Sequence, residues 1–294
     1  MAKRIISEVV RGQNAVDGAG VHLRRVLGLH TVNRFDPFLM LDGFDSTNPE
    51  DYIKGFPWHP HRGIETVTYL LKGEIEHGDS LGNKGSIREE QCQWMTAGSG
   101  IIHQEMPQVS ERLLGCQLWV NLPQNNKMME PAYHDISPEK IVRLEEENAK
   151  IGILSGSYQG HVGARTGDYL QVQYLDITLN PHAVWSYQET SNDQTLFLYL
   201  IQGTLAANGA LDVFEEKACA ILMEPSSRNA KLHDEVVVKS GPHGARFFLI
   251  AAKPLKEPVA WGGPIVMNTQ QELNEAFEEL ENHTFIKHSN PTFF

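Results

Sequence analysis

The chain has 294 residues, of which 41% are hydrophobic and 21% charged, with a net charge of -12. That length accommodates two compact units, and the composition is that of an ordinary globular protein without low-complexity tracts. The acidic balance excludes the basic surface that direct nucleic-acid binding and adhesion to anionic membranes require, and leaves a protein partner open.

The N-terminal stretch Met1 to Val10 is interrupted by Ser7 and Glu8, so it lacks the continuous apolar core of a signal peptide. No apolar run reaches membrane-spanning length. Cys92, Cys116 and Cys219 are odd in number and form no CxxC pair, which argues against a disulfide framework and for a reducing cytoplasm.

Short β-like runs then follow one another, bounded by Gly, Pro, Asn and Asp. They are Glu65 to Leu71, Gln117 to Asn121, Leu170 to Asp176, Leu196 to Ile201, Glu235 to Lys239 and Arg246 to Ile250. Lys72-Gly73, Leu81 to Gly85 and Ala207-Asn208-Gly209 carry hairpin-type turn chemistry. The pattern predicts an all-β chain of sandwiches or barrels. The Pro-containing, charged region Lys127 to Lys150 reads as the passage between halves, giving domains 1–135 and 136–294. Its acidic run, Glu145 to Glu147, reads as a solvated turn or helix face. One short C-terminal helix is expected, with Thr269 and Glu272 forming a capping box and Leu273, Ala276, Phe277 and Leu280 on one apolar face. The tail from His288 to Phe294 carries no signal.

Two stretches carry chemistry. In Phe56 to Glu65, His59 and His61 stand at i and i+2; in Thr96 to Glu105, His103 and Glu105 do the same after the turn Gly98-Ser99-Gly100. On extended backbone such pairs share a face. Taken alone, His59-Pro60-His61 reads equally as a rigid loop held by Pro60. With the second pair on a neighbouring strand, three imidazoles and a carboxylate would meet as an open-sided metal site. The halves also correspond: Thr195 to Gly203 aligns with Glu65 to Gly73, which places Glu189 and Ser191 opposite His59 and His61. No histidine lies between His182 and His233, so a single metal site is expected, in the first half.

Gly55 to Gly73 and Gln93 to Glu105 resemble the two signature motifs of the pirin family, within the cupin superfamily. Asp36 to Asp42 and Gly263 to Thr269 add supporting matches, so the resemblance spans nearly the whole chain. It implies a bicupin, two stacked antiparallel jelly-roll barrels, the N-terminal one binding metal and the C-terminal one metal-free. The implied ligands are His59, His61, His103 and Glu105, with Glu65 left to a supporting role such as orienting an imidazole. One divalent ion is implied, Fe(II) as the usual occupant. Donor chemistry also admits Mn, Ni and Co, and Zn or Cu if supplied. The resemblance further implies quercetin 2,3-dioxygenase activity on a flavonol with dioxygen. Glu105 would take the proton of the 3-hydroxyl, and Phe56, Trp58 and Trp94 either line an aromatic pocket or belong to the core. The alternative it implies is an iron-state-dependent regulatory protein that binds a transcription factor or metabolic enzyme without turnover.

Overall fold

In the computed structural model, which describes residues 2–189, 193–225 and 234–288, strands condense into two units. The first comprises Asn14–Asn33, Pro37–Pro138 and Leu255–Phe294; the second comprises Met1–Gln13, Arg34–Asp36 and Glu139–Pro254. Ser191, His233 and the tail beyond His288 lie outside the described residues.

The chain begins with β1 (Ala2–Arg11), which belongs to the second unit. The first unit then takes β2 (Gln13–Asp17), β3 (Val21–Leu27), β4 (Phe38–Ser46), β5 (Phe56–His61), β6 (Ile64–Lys72) and β7 (Ile75–Asp79). It continues with β8 (Lys84–Ile87), β9 (Cys92–Thr96), β10 (Ile101–Pro107), β11 (Leu113–Asn121) and β12 (Ala132–Ile136). One sheet runs β12-β9-β6-β11-β4-β3-β2 and the other β5-β10-β7-β8. Strands β6 and β11 are neighbours in the middle of the larger sheet and are buried along nearly their whole length. Burial on both faces is why β11 reads as a nearly continuous apolar run, while β6 also buries Glu65, Thr66 and Thr68. Strand β10 does alternate: Ile101, His103, Glu105 and Pro107 are buried, and the residues between them half-buried.

The remainder of the first unit comes from the far end of the chain. A hairpin of Ala260–Gly262 and Ile265–Met267 leads into the helix Gln270–Glu281. The capping box at Thr269 and Glu272 is present in both directions. Leu273 and Ala276 are buried, while Phe277 remains 38% exposed. The backbone N–H of Val266 donates to Arg62 O at 3.1 Å, and Val266 joins Ile64, Met95, Ile101 and Trp119 in one apolar cluster. A contiguous division at residue 135 therefore differs from the units observed. Strand β1 pairs with Cys219–Pro225 and with the start of Asp234–Ala252, in the second unit, and the terminal helix packs in the first. Local periodicity marks an element without naming its partner, so an exchange of terminal segments leaves no trace in the pattern.

In the second unit the separate runs expected at Glu235 to Lys239 and Arg246 to Ile250 form one strand of 19 residues, Asp234–Ala252. Its first half pairs with Val184–Glu189, its second with Val172–Leu179, and both with Thr195–Ala207. The core there is built on Trp185, Tyr187, Leu198, Ile221, Phe247 and Leu249. The acidic run lies on the strand Val142–Glu145 and the turn after it. Gly73 and Gly203, matched between the halves in sequence, share positive φ values of 96° and 78°. Among the described residues, no helix is long and apolar enough to cross a membrane.

Gly63 joins β5 to β6 at φ +77°, and a Cβ there would lie 2.0 Å from Val266 O. Gly63→Ala is expected to cost on the order of 2–3 kcal/mol, from strained backbone and the displaced terminal hairpin. An unchanged urea midpoint would contradict this packing.

Candidate metal centre

Strand β5 is at the edge of its sheet, which is where Pro57 and Pro60, lacking N–H donors, can be accommodated. Its antiparallel ladder with β10 sets His59 directly across from His103, and His61 across from Ile101. A register shift after His103 brings Glu105 opposite Phe56 on that side. On the other side the ladder stays regular, with His103 opposite Asp79 and Glu105 opposite His77. A bulge of this kind re-aims side chains locally, and here it falls between the two candidate ligands of β10.

The three imidazoles converge. Their ring centroids are 4.4 to 5.0 Å apart, and one ligand-competent atom from each lies within 4.8 Å of the others. His59 Nδ1 faces Pro57 O at 2.8 Å, and His61 Nδ1 faces Pro264 O at 3.1 Å. A carbonyl can only accept, so each Nδ1 carries a proton, and the neutral His61 ring presents the lone pair of its Nε2 to the Nε2 of His59. Those two Nε2 atoms are 3.1 Å apart. His103 is 1% exposed, and neither of its ring nitrogens has a hydrogen-bond partner. Imidazole nitrogens crowded this closely, two of the rings buried, are unfavourable until a cation shares them. The donor set fits a divalent metal, and no thiolate belongs to the cluster.

Glu105, 4% exposed, places Oε2 4.0 Å from His103 Nε2. Gln117 on β11 donates to its two oxygens at 2.9 and 3.1 Å, and Thr68 Oγ1 on β6 is 3.4 Å from Oε1. Trp119 Nε1 donates to Gln117 Oε1 at 3.1 Å, which turns the amide so that its NH2 faces the carboxylate. The larger sheet thus holds the acid, and the smaller one supplies the imidazoles.

Burial acts on the histidines' charge. It pushes His61 down to about 3, with nearby His59 adding to the shift and Pro264 O opposing it. His103 lies well below the ordinary imidazole range, through burial first and then the neighbouring histidines. Both rings are neutral at physiological pH, as metal ligation requires.

Behind His61, the chain is tied to the terminal segment. Arg62 Nε donates to Ser99 O at 2.7 Å, and its guanidinium reaches Glu279 at 2.6 Å and Phe285 O at 2.9 Å. Its centre also sits 4.2 Å over the Phe285 ring. Lys127 Nζ, 2% exposed, donates to Gly63 O, Asn121 Oδ1 and Val266 O at 2.7 to 2.8 Å. These contacts fix the segment whose Pro264 carbonyl sets the tautomer of His61.

The structure brings His59, His61, His103 and Glu105 to one place. Glu65, read as a possible support for an imidazole, is fully buried and accepts from Thr96 Oγ1 at 2.7 Å, while backbone carbonyls hold His59 and His61. Of the three aromatics, Phe56 lies 6.4 Å from the His59 ring, Trp58 is 53% exposed and Trp94 is fully buried. The aromatic side chains along His61 are instead Trp119, at 5.0 Å, and beyond it Trp261, 5.9 Å from Trp119. Gln117, Trp119 and Pro264 were missed. Gln117 and Trp119 share the i, i+2 parity of the ligand pairs, which was a usable signal; a backbone carbonyl gives none.

Comparison with known proteins follows the same outline. A family model described as Pirin matches residues 20–120, and one described as Pirin C-terminal cupin domain matches residues 174–286. A Pseudomonas aeruginosa protein named "Putative quercetin 2,3-dioxygenase" is 41% identical over 286 residues, 95% of this chain and 97% of its own. A Caulobacter vibrioides "Pirin-like protein" is 38% identical over 288 residues, 97% of this chain and 100% of its own. The 1.88 Å crystal structure of quercetin 2,3-dioxygenase from Acinetobacter baumannii superposes with a TM-score of 0.84 at 26% identity, covering 97% of this chain and 99% of that one.

The depressed histidines give a signed pH dependence for metal-free protein. Below the ordinary imidazole value of about 6.5 the unfolded chain binds protons that the folded chain refuses. Their contribution is therefore fully present above about 6.5 and lost as pH falls toward about 3. Denaturant unfolding of chelator-treated protein across this range should show the loss, and His61→Gln should flatten it.

Proposed function

The chain belongs to the pirin family, and from that premise we propose that it is an iron-dependent dioxygenase that opens flavonols such as quercetin. The observation that carries this reading is the convergence of three imidazoles, two of them buried and neutral, beside a carboxylate that is itself held in place. His59, His61, His103 and Glu105 would hold one divalent ion, Fe(II) by preference, with Mn, Ni, Co, Zn or Cu as substitutes. When bound, the ion supplies Lewis acidity toward the flavonol 3-oxygen and a redox route to dioxygen.

The chain's own residues do the rest. Glu105 accepts the proton of the 3-hydroxyl, acting as general base as well as ligand. Gln117, fixed by Trp119, keeps the carboxylate aimed inward during that transfer. Trp119 and Trp261 offer ring surface for a planar substrate beside His61. The protein would work in a reducing cytoplasm, where its buried cysteines Cys92, Cys116 and Cys219 stay reduced.

Iron loaded anaerobically and then exposed to air should consume dioxygen and bleach the flavonol absorbance of quercetin, followed with an oxygen electrode and a spectrophotometer. His61→Ala should abolish both iron retention and turnover. Unchanged quercetin with fully loaded protein would overturn the enzymatic reading; iron-state-dependent capture of a protein partner would then replace it.

Gln117→Leu keeps the four ligands and removes the group that orients one of them. Metal affinity or turnover should fall roughly 10–100-fold, the usual cost of losing an outer-shell partner. Equal activity in the two proteins would remove Gln117 from the site.

A further inference from the structure

The second unit contains a cavity of about 770 Å³ bordered by Tyr158, Gln159, Thr166, Gln171, Tyr187 and Gln188. That volume is within the range of small-molecule sites, roughly 300–1,000 Å³. Among the described residues, none of the fourteen that line it is Asp, Glu, Lys, Arg or His, although a chain 21% charged would place about three charges among fourteen residues. The lining is instead carboxamide, hydroxyl and aromatic ring.

The wall is fixed from behind. Glu146 accepts from Tyr158 OH at 2.8 Å, Gln159 Nε2 at 3.0 Å and Trp185 Nε1 at 3.1 Å. The rings of Tyr158, Trp185 and Tyr187 form a triangle with centroids 6.0 to 6.2 Å apart, Tyr187 near-parallel to each of the other two. Gln173 pins Ser157 by two bonds, accepting from its N–H at 3.0 Å and donating to its carbonyl at 2.8 Å. Gln171 and Gln188 differ: both are exposed, and among the described residues their carboxamides have no partner.

Carboxamides and hydroxyls each donate and accept. A phosphate or carboxylate only accepts, and an ammonium only donates, so each would leave half of this lining unmatched and its own charge uncompensated. A sugar hydroxyl also donates and accepts, and the apolar face of a pyranose suits a tyrosine ring. We propose that this cavity is a binding site for an uncharged sugar, a function of the second unit that does not depend on the metal reading.

Isothermal titration of the full, iron-loaded chain with maltose, cellobiose, lactose and sucrose tests it. At least one should bind saturably, with Kd on the order of 0.1–1 mM, and should alter tryptophan fluorescence through Trp185. Glucuronate, glucose 6-phosphate and glucosamine should bind at least roughly tenfold more weakly, since each brings a charge the lining cannot pair. Gln171→Ala with Gln188→Ala, at two exposed positions, should reduce sugar affinity roughly tenfold or more, as loss of two hydrogen-bonding groups implies. The same double variant should keep its thermal midpoint, iron content and quercetin turnover. The proposal falls if no sugar of the panel saturates below about 50 mM, if charged sugars bind equally well, or if the double variant binds unchanged.

Discussion

Two imidazole nitrogens stand 3.1 Å apart, one on half-buried His59 and one on buried His61, an arrangement that a shared cation would complete. Much of the first unit can be read as what holds them there. The edge position of β5 admits the prolines that keep the pair extended. Carbonyls of Pro57 and Pro264 take up the opposite nitrogens, so neither ring can turn over to relieve the contact. His103 brings a third buried nitrogen without a partner. The energy given up in building this cluster is recovered when a cation enters, which makes metal binding and folding of this region one thermodynamic event.

The carboxylate is treated in the opposite way. Glu105 is satisfied before any ion arrives, by the Gln117 amide from the facing sheet, and that amide is fixed in turn by an indole. All four groups thus stand on the smaller sheet, the imidazoles open to a cation and the carboxylate already satisfied by a donor from the larger one. Such an arrangement fits the role proposed for Glu105, because the position of the acid is set independently of the ion.

The i, i+2 spacing in two stretches was enough to name the four residues that converge, because period two is a property of extended backbone and survives any arrangement of strands. The capping box at Thr269 was legible for the same reason: it is local. What escaped depended on partners distant in the chain. The carbonyl of Pro264 meets His61 across some two hundred residues, and nothing in either sequence neighbourhood announces it. Glu65 stands four residues from His61, yet its recorded bond is to Thr96 on the neighbouring strand, since β6 leaves β5 through the turn at Gly63. Trp58 was placed beside the ligands by its position and is turned outward by the same alternation that turns His59 inward.

The exchange of terminal segments also sets an order in time. All four converging residues have left the ribosome once β10 has been made, but the carbonyl opposite His61 and the groups that clamp Arg62 lie beyond residue 260. At about 5–20 residues per second, that interval is roughly ten to thirty seconds of translation. During it, His61 lacks the acceptor that fixes its tautomer, and the first unit lacks part of its core. The candidate metal centre is thus closed late, by a segment made well after its ligands.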